Sequence, residues 1–367
     1  MVYQAEWNFS AITLTGVFAV YVLGLLGSLL VFGALSDHVG RRPVLGAAVA
    51  LESVALVLFL VAGDVAVLAV ARVLQGVATG AAMTTFSATL IDLDPPHAPG
   101  RAGLVNSIAP VGGLAVGALA TGALVQYAPA PTHLVYGILL AGLAVGALAI
   151  VLAPETSTRR PGARASLRPQ VSIPARLRAP VWALTPVLIA SWALGGLYLS
   201  LGPSVAASLF GLHSHLVGGF VVTLLCATGA LTSFAVRRRS PRSLLPTADL
   251  LLALGMVISL VGVDQREASL AAAGTVIAGV GFGAAALGCF GTLARLAEPH
   301  ERGELFAAAY VISYLAFSIP AVIAGLSATT FGLHATVLVY GSIVIALSLI
   351  AYAAQHVLAQ RPTTSLN

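Results

Sequence analysis

The chain has 367 residues, of which 58% are hydrophobic and only 8% charged, and its formal net charge is +5. A water-soluble domain of this length needs far more charged side chains to cover its surface. Its histidines, cysteines and acids lack the spacing of a metal site, and no glycine-rich phosphate loop is present. The composition therefore excludes a soluble globular domain, and we expect neither an enzyme nor a cofactor or metal.

Apolar runs long enough to cross a bilayer recur along the whole chain. A helix of about 20 residues spans the hydrocarbon core, and these runs are continuous rather than alternating, which excludes a membrane β-barrel. The pattern predicts an all-α integral membrane protein with eleven transmembrane helices. The predicted spans are 11–34, 44–63, 65–91, 102–127, 134–153, 180–203, 215–236, 246–263, 268–294, 304–330 and 334–355.

The segment between the first two spans combines two glycines, one acid and two adjacent cations. These residues are Gly33, Gly40, Asp37, Arg41 and Arg42. The glycines suit a tight turn, and the arginines lie just beyond the end of a membrane-length run. The segment resembles the loop between the second and third helices of major facilitator superfamily transporters, which has the pattern G-x-L-x-D-x-x-G-R-R.

This resemblance implies a fold and a role for the loop. In the family, two six-helix bundles rock about a central substrate site, and the loop latches the two halves together on the cytoplasmic side. The acid of the loop then lies at the beginning of the eleventh helix, near Gly303 and Glu304 in this sequence. The arginine pairs with acids at the end of the fourth helix, for which Asp92 and Asp94 are candidates.

Two charged residues lie within the predicted membrane. Glu52 is the one carboxyl group deep in a span, so it is a candidate for proton coupling, with a structural acid as the alternative. Arg72 is about two turns inside its span, where a cation is costly without a partner or cavity. With Gln75 and Gly76 it resembles the family's R-x-x-Q-G pattern, which is implicated in proton coupling, and Thr79 shares the same helical stripe. The alternative for Arg72 is snorkelling to the outer interface.

The fourth span carries a proline and, within the next seven residues, three glycines, at Pro110, Gly112, Gly113 and Gly117. Proline kinks a helix and glycines permit close packing. The pattern resembles the family's fifth-helix antiporter motif, G-P-x-x-G-G. Alanine replaces its first glycine, however, and one residue is missing before the glycine pair. The sequence therefore predicts a helix-packing face with a partial resemblance to antiporters.

The basic residues set the predicted orientation. All eighteen cations are arginines, and sixteen of them lie in alternate loops or at their edges. By the positive-inside rule these loops are cytoplasmic, together with the linker and the C-terminus. We therefore expect a multi-pass protein of the plasma (inner) membrane. The arginines are spread over short loops without interleaved aromatic residues, so no nucleic-acid partner is expected.

The second half carries fewer polar residues within its spans. Asp249 lies about one turn inside the eighth span, and we expect it at the membrane interface. Cys226 and Cys289 fall within spans, where thiols act more often as small apolar fillers than as a disulfide or metal pair. Candidates for lining a substrate cavity are Tyr21, Thr79, Asn106, Trp192, Tyr310, Tyr314 and Phe317.

The two halves match each other at an offset of 203 residues. Glycine pairs match in the third and ninth spans, and Pro-His-x-x-Gly at 96–100 matches 299–303. By this match the second half has six spans and the first half has five. We therefore expect the native protein to begin upstream with one more helix. The alternatives are a genuine eleven-span protein or a fragment. The predicted organisation is a helical bundle at 1–153, a linker at 154–179, a six-helix bundle at 180–356 and a tail at 357–367.

Together these features predict a secondary active transporter. The resemblance implies proton-coupled efflux of small amphipathic molecules or drugs by alternating access. Uptake of a sugar or another small metabolite is the first alternative, and a non-transporting membrane sensor or a nonfunctional fragment is the second. The expected partners are a small-molecule substrate, protons and the lipid bilayer, and we expect a monomer.

Overall fold

The structure is a computed structural model that describes residue 7 and residues 11–95, 101–167, 173–296, 298 and 302–360. At Arg302, Gly303 and Glu304 only the backbone is described. Every regular element within these ranges is a helix. The loop match predicted from residues 96–100 lies outside the described residues.

Each predicted span corresponds to one long helix of the described chain. The long helices are α1 (Ala11–Phe32), α2 (Arg41–Val61), α3 (Val65–Asp92), α4 (Arg101–Tyr127), α5 (Pro131–Leu152), α6 (Ala175–Ser208), α7 (His215–Ala235), α8 (Pro241–Asp264), α9 (Ala268–Leu296), α10 (Arg302–Phe331) and α11 (Leu333–Gln360). Two short helices, Leu35–Val39 and Ala163–Ser166, lie between them.

The long helices have the length and composition of membrane spans. Ten of them, α2 to α11, are long and apolar enough to cross a bilayer, whereas the apolar part of α1, Gly16–Phe32, is shorter. A helix satisfies its own backbone hydrogen bonds, which lipid cannot do. Large apolar side chains such as Val116 and Leu152 remain exposed on the helix surfaces. The prediction of an all-α membrane protein is confirmed.

The described helices form two compact units. Unit 1 comprises the described residues of Met1–Ala102, Thr121–Ile173 and Ala297–Tyr314, and unit 2 those of Gly103–Ala120, Pro174–Leu296 and Leu315–Asn367. Two helices, α4 and α10, therefore contribute residues to both units. The bundle boundaries predicted at 153 and 180 stay a prediction.

Close helix packing in unit 1 depends on glycines of α3. A Cβ atom at Gly76 would overlap the backbone of Tyr21 on α1, and one at Gly80 would lie 2.7 Å from the carbonyl oxygen of Leu25. The Ser28 hydroxyl of α1 donates to the carbonyl of Val77 at 2.7 Å. Small residues let two backbones approach closely in a membrane, so α1 and α3 form a closely packed pair in this unit.

Unit 2 contains the equivalent pair, α7 and α9. A Cβ atom at Gly279 would lie 3.0 Å from the carbonyl oxygen of Leu225, and one at Gly283 would overlap the backbone of Gly229. The Ser233 hydroxyl of α7 donates to the carbonyl of Gly283 at 2.9 Å. The glycines that match at the 203-residue offset therefore serve the same packing role in both units.

Asp249 corrects one prediction from the sequence. We expected it at the membrane interface, but it is 0% exposed in the interior of unit 2. The physical reason is the position at which α8 begins, which is Pro241 rather than residue 246. Proline suits the first position of a helix because it lacks the N–H group that would have no partner there. The earlier beginning places Asp249 about two turns inside the helix.

Candidate functional site

A chain of hydrogen bonds joins two charged side chains within the membrane-spanning part of unit 1. Arg72 Nη1 donates to Gln75 Oε1 at 2.8 Å, and Gln75 Nε2 donates to Glu52 Oε1 at 3.0 Å. Arg72 and Gln75 are one turn apart on α3, whereas Glu52 comes from α2. Glu52 Oε2 is buried and has no hydrogen-bond partner among the described residues. We call these three residues the Glu52 chain.

The Arg72 guanidinium has an aromatic neighbour as well as a polar one. Its Cζ atom lies 5.1 Å from the centroid of the Phe59 ring on α2, within the range of a cation–π contact. The Phe59 ring stacks in turn on Tyr136 of α5, with centroids 5.3 Å apart. The guanidinium is thus held by α2 and α3 rather than extended freely along the helix.

Two hydroxyl groups extend this polar region toward α1. Thr79 Oγ1 donates to the carbonyl of Gln75 at 2.8 Å, and the Tyr21 hydroxyl shares a hydrogen bond with Thr79. Tyr21 also lies close enough to Arg72 and Glu52 to interact electrostatically with both. The glycine-mediated contact of α1 with α3 places Tyr21 there, and it brings together five residues singled out from the sequence.

Two further cavity candidates contact α3 from α10. The Tyr310 hydroxyl lies 3.3 Å from Ser87 Oγ, and the Tyr314 hydroxyl donates to Met83 Sδ at 3.0 Å. Tyr314 also interacts electrostatically with Tyr21. The polar face of α3 in unit 1 therefore continues from Arg72 to Ser87.

The turn between α1 and α2 forms a second polar cluster. Gly40 ends the short helix with a φ of 109°, a left-handed conformation that favours glycine. Arg41 follows, only 8% exposed. Its Nη1 contacts the Asp37 carboxylate and donates to Ser36 Oγ at 2.6 Å, and its Nε donates to Asp92 Oδ2 at 3.1 Å. We call Ser36, Asp37, Arg41 and Asp92 the Arg41 cluster.

Sequence reasoning missed Glu155, which lies just after α5. Its carboxylate accepts from the backbone N–H groups of Arg41 at 2.8 Å and Arg42 at 3.1 Å, so it caps the beginning of α2. Ser157 N–H donates to the same carboxylate at 3.1 Å. The available signal was that Glu155 is the single acid of an arginine-rich linker.

These contacts also act on the pKa of Glu155. Burial raises the pKa of this carboxyl, but the backbone N–H groups of Ser157, Arg41, Arg42 and Thr156 lower it by more, and the net shift is downward. Hydrogen bonds to a charged form favour that form. The carboxylate is therefore held ionised where it caps α2.

The remaining residues of the turn take separate positions. Arg42 Nη2 donates to the carbonyl of Val151 at the end of α5, at 2.5 Å. Gly33 lies in the turn after α1, where a Cβ atom would stand 2.8 Å from the carbonyl oxygen of Leu29. Both residues therefore help to hold the turn close to neighbouring backbone.

Of the two candidate partners for Arg41, the structure pairs it with Asp92, and the contact expected for Asp37 is not described. Asp94 Oδ1 accepts from the backbone N–H of Ala102, at the beginning of α4, and the Arg41 partner from this region is Asp92. The contact expected between Asp37 and the Gly303–Glu304 region involves side chains outside the described residues, so it stays a prediction.

The glycine motif of α4 makes few contacts within unit 2, and its role as a helix-packing face stays a prediction. No described atom lies within 4 Å of where a Cβ would stand at Gly113 or Gly117, and at Gly112 the nearest is a side-chain carbon at 3.9 Å. Pro110 lies inside the continuous helix. The packing face is on Ala115, whose carbonyl accepts from Thr223 Oγ1 of α7 at 2.9 Å. Gly112, whose nearest neighbour is the Ala230 side chain, therefore faces α7 together with Ala115.

The other cavity candidates belong to unit 2. Trp192 of α6 and Phe317 of α10 form an edge-to-face pair with centroids 6.4 Å apart. A Cβ atom at Gly196 would lie 2.5 Å from the Phe317 carbonyl oxygen, so α6 and α10 approach closely here. Asn106 is half-buried on α4. These contacts are helix packing, which is the more common role of such aromatic residues.

A hydroxyl cluster in unit 2 was not anticipated from the sequence. The Tyr198 hydroxyl lies 2.9 Å from both Ser259 Oγ and Thr275 Oγ1, and Ser259 and Thr275 each donate to the carbonyl of Ala271. The cluster borders a cavity of about 330 Å³ between α6, α7, α8 and α9, lined mainly by apolar side chains. Such a space suits an apolar group.

The sequence was compared with known families and proteins. The family model described as Major Facilitator Superfamily matches residues 1–319. The chain belongs to this superfamily. Its members are transporters rather than enzymes, and they bind small-molecule substrates. The chain is therefore a multi-pass membrane transporter, as the loop and helix motifs predicted.

Individual relatives are more distant. The chain is 28% identical over 308 residues to the multidrug resistance protein MdtL of Citrobacter koseri, covering 80% of this chain and 76% of that protein. It is 35% identical over 108 residues to the transporter paaT of Penicillium rubens, covering 29% of this chain and 20% of that protein. The first similarity extends over most of both chains, whereas the second is local.

Solved structures share the fold at low sequence identity. The human organic anion transporter MFSD10 (TETRAN) has a TM-score of 0.69 at 19% identity, covering 94% of this chain and 83% of that one. The proton:xylose symporter XylE has a TM-score of 0.72 at 16% identity, covering 93% and 86%. A bacterial homologue of ferroportin has a TM-score of 0.69 at 17% identity, covering 98% and 93%. The predicted superfamily fold is confirmed.

Proposed function

We propose that this transporter exports small amphipathic molecules in exchange for protons, and that Glu52 is the group that binds the proton. The observation that carries the proposal is the Glu52 chain, in which one amide joins a carboxyl group to a guanidinium inside membrane-spanning helices. Ionisable residues in such positions are rare and usually functional. The similarity to a multidrug resistance protein supports export.

The two oxygens of the Glu52 carboxyl have different surroundings. Oε1 accepts the Gln75 hydrogen bond, whereas Oε2 has no partner among the described residues, so Oε2 is the atom that takes the proton. With Glu52 ionised, the charges of Glu52 and Arg72 sum to zero. With Glu52 protonated, the pair carries +1 in a region of low dielectric constant, where an uncompensated charge is costly. Proton binding therefore favours a rearrangement of α2 and α3.

Gln75 and Arg72 are positioning residues in this proposal. The Gln75 amide donates to Glu52 while its oxygen accepts from Arg72, and the two hydrogen bonds together fix the orientation of the amide. The contact with Phe59 restrains the guanidinium. Loss of Arg72 then disorders the amide and moves the carboxyl, even though Arg72 does not itself carry the proton.

The Arg41 cluster completes the proposal on the side that we assign to the cytoplasm of the plasma membrane. The arginine-rich loops support this orientation. Arg41 connects the turn between α1 and α2 with the end of α3 through Asp92, and Glu155 attaches the same turn to the segment after α5. We propose that the turn acts as the latch that the family pattern implies.

The experiment uses purified protein in liposomes, with a fluorescent amphipathic cation as the probe. An acidic interior should drive the probe into vesicles by exchange with protons, whereas an alkaline interior should not. Glu52→Gln should abolish this accumulation but retain binding of the probe, because glutamine reproduces the neutral acid. Glu267→Gln, which changes an exposed acid, should behave as the parent does.

The opposite result would overturn the proposal. Accumulation driven by an alkaline interior would show cotransport with protons and would favour uptake of a metabolite. Gradient-driven accumulation that persists in Glu52→Gln would remove the proton-binding role of Glu52. Binding of the probe without any flux in the parent protein would favour a sensor.

A further inference from the structure

A second acid is buried in unit 2, where the proposed function does not use it. Asp249 of α8 is 0% exposed, and neither of its carboxyl oxygens has a hydrogen-bond partner among the described residues. An ionised carboxylate without hydrogen bonds or a counter-ion is very unfavourable in an apolar interior. The state compatible with this site is the neutral acid.

Helix α9 closes one side of the site with small residues. A Cβ atom at Gly281 would lie 2.8 Å from the Ala248 carbonyl oxygen, and one at Gly288 would lie 2.6 Å from the Leu245 side chain. Asp249 follows Ala248 directly, so it lies at this tight contact between α8 and α9. The buried Cys289 thiol of α9 is close enough to Asp249 to interact electrostatically.

Helix α11 carries another unpartnered polar atom at the same level. Gly341 packs against Met256 and Leu260 of α8, and Ser348, two turns further on, lies on the same face. Successive membrane-spanning helices alternate in direction, so α11 runs antiparallel to α8. Two turns are about 10.5 Å, which brings Ser348 level with Asp249. Ser348 is 0% exposed, and its hydroxyl has no partner among the described residues.

Few titratable groups surround the carboxyl. On α9 the titratable neighbour is Cys289, and on α11 it is Tyr352, one turn beyond Ser348. The middle of α6 carries none. On α8 the nearest cation is Arg242, which is two turns away and exposed. Among the described residues, the packed helices therefore place no cation beside the Asp249 carboxyl.

We propose that Asp249 is a proton-binding site of unit 2, distinct from Glu52, that keeps its proton while α8, α9 and α11 are packed and exchanges it when they separate. The proton is lost from the carboxyl to water that enters between the helices, and it returns before they close. Release of the proton conversely favours the separated arrangement, because each state binds protons with a different affinity. The site stands independently of the coupling proposed for Glu52.

The first test is chemical labelling of the protein in liposomes with dicyclohexylcarbodiimide. This apolar reagent adds a protonated carboxylic acid across one of its C=N bonds, so no other reactant is consumed. Mass spectrometry of the peptides should show Asp249 labelled at neutral pH, with labelling lost at alkaline pH. Asp264, the exposed acid at the other end of α8, should stay unlabelled and provides the control.

The second test is infrared spectroscopy, which does not require the reagent to enter the site. In a Glu52→Gln background, the C=O stretch of a protonated acid should be present at neutral pH and absent in Asp249→Asn. Asparagine has nearly the shape of the neutral acid, so the variant should fold. The proposal would be overturned if, at neutral pH, Asp249 is not labelled and the Glu52→Gln protein shows no C=O band of a protonated acid. Proton-driven transport is measured in a separate assay, so a negative result for the Asp249 proposal can be distinguished from a negative result for the Glu52 proposal.

Discussion

The two units use the same helix pairs to hold different chemistry. Helices α2 and α3 of unit 1 correspond to α8 and α9 of unit 2 at the 203-residue offset. In unit 1 this pair carries the Glu52 chain, which contains one acid and one cation. At the equivalent positions unit 2 has Gly255 for Glu52, Ala278 for Gln75 and Thr275 for Arg72. The charged network is therefore confined to one unit.

Unit 2 has a neutral network at the matching level instead. Thr275, the counterpart of Arg72, belongs to the hydroxyl cluster with Tyr198 and Ser259. The glycines that let the helices approach are retained in both units, at Gly76 and Gly279. Backbone packing is thus the shared feature of the repeat, whereas the polar side chains between the helices are free to differ. In the proposed function, this asymmetry is what allows unit 1 to bind a proton through a charged pair.

The largest effect should come from filling the shared glycine positions. Gly76→Val places side-chain atoms on the Tyr21 backbone, so we expect a loss of about 3 kcal/mol or more of stability and little folded protein. Gly279→Val should be milder, because its tightest neighbour is the side chain of Thr228 at 2.8 Å. Thermal unfolding in detergent measures both variants.

Gly113→Ala is the control for these two variants. No described atom lies within 4 Å of its added methyl group, so stability should be unchanged or slightly raised by the better helix propensity of alanine. Equal destabilisation by Gly76→Val and Gly113→Ala would contradict the role of close packing in the repeat.

A triple exchange tests the comparison directly by giving unit 1 the chemistry of unit 2. The changes Glu52→Gly, Arg72→Thr and Gln75→Ala remove the charged pair and retain the glycine contacts. We expect the protein to fold, with a cost of about 1 kcal/mol for glycine inside a helix, and to lose proton-driven transport. Vesicle assays with an acidic interior measure the loss. Retained gradient-driven transport would show that proton coupling does not depend on the Glu52 chain.

Sequence reasoning predicted local features well and contacts between distant segments poorly. Arg72 and Gln75 are three residues apart on one helix, so their hydrogen bond follows from helix geometry. The participation of Glu52 was proposed only because it is an acid in a membrane span. Glu155 was missed because its partners are more than 100 residues earlier in the chain, a contact that depends on how α5 packs against α2.

The wrong expectation for Asp249 has an equally physical cause. The depth of Asp249 depends on where α8 begins, and apolar residues alone do not mark that position when a proline can start the helix. The glycines of α4 were expected to face a neighbour because glycine permits close packing. Glycine permits close packing without requiring it, so that expectation stays a prediction, and the described hydrogen bond between α4 and α7 joins Ala115 and Thr223.

Single polar substitutions should distinguish the Glu52 chain from the hydroxyl cluster of unit 2, with smaller effects than the triple exchange. Gln75→Ala breaks both hydrogen bonds of the Glu52 chain and leaves two half-buried charges without a bridge, so we expect about 2 kcal/mol of destabilisation and a loss of proton-driven transport. Tyr198→Phe removes one hydroxyl from the cluster in unit 2. We expect this variant to be less stable by about 1 kcal/mol and to retain transport. Unfolding and vesicle assays on both variants measure the difference. Loss of coupling in Tyr198→Phe would contradict the assignment of coupling to unit 1.

The smallest effect concerns the turn that differs between the units. Glu155 caps α2 with its carboxylate, whereas the side chain of Ser240, the residue before α8, makes no capping hydrogen bond. Glu155→Gln should cost less than about 1 kcal/mol at neutral pH, since a helix cap on an exposed surface contributes on this scale. Hydrogen exchange of the first amides of α2 is the measurement, because it reports the cap locally.

The pH dependence of this cap has a definite sign. The net shift lowers the pKa of Glu155 below its ordinary value of 4.5, so the folded protein stabilises the ionised form of this carboxyl relative to the unfolded chain. The stabilisation is therefore fully present above about pH 4.5 and is lost as the pH falls through the lowered pKa. Glu155→Gln should accelerate exchange of the Arg41 and Arg42 amides at neutral pH, and the difference from the parent should shrink in acid. The first amides of α8 should show no such change, since they have no carboxylate cap to protonate, and an equal effect there would mean that the variant acts on the whole protein rather than through this contact.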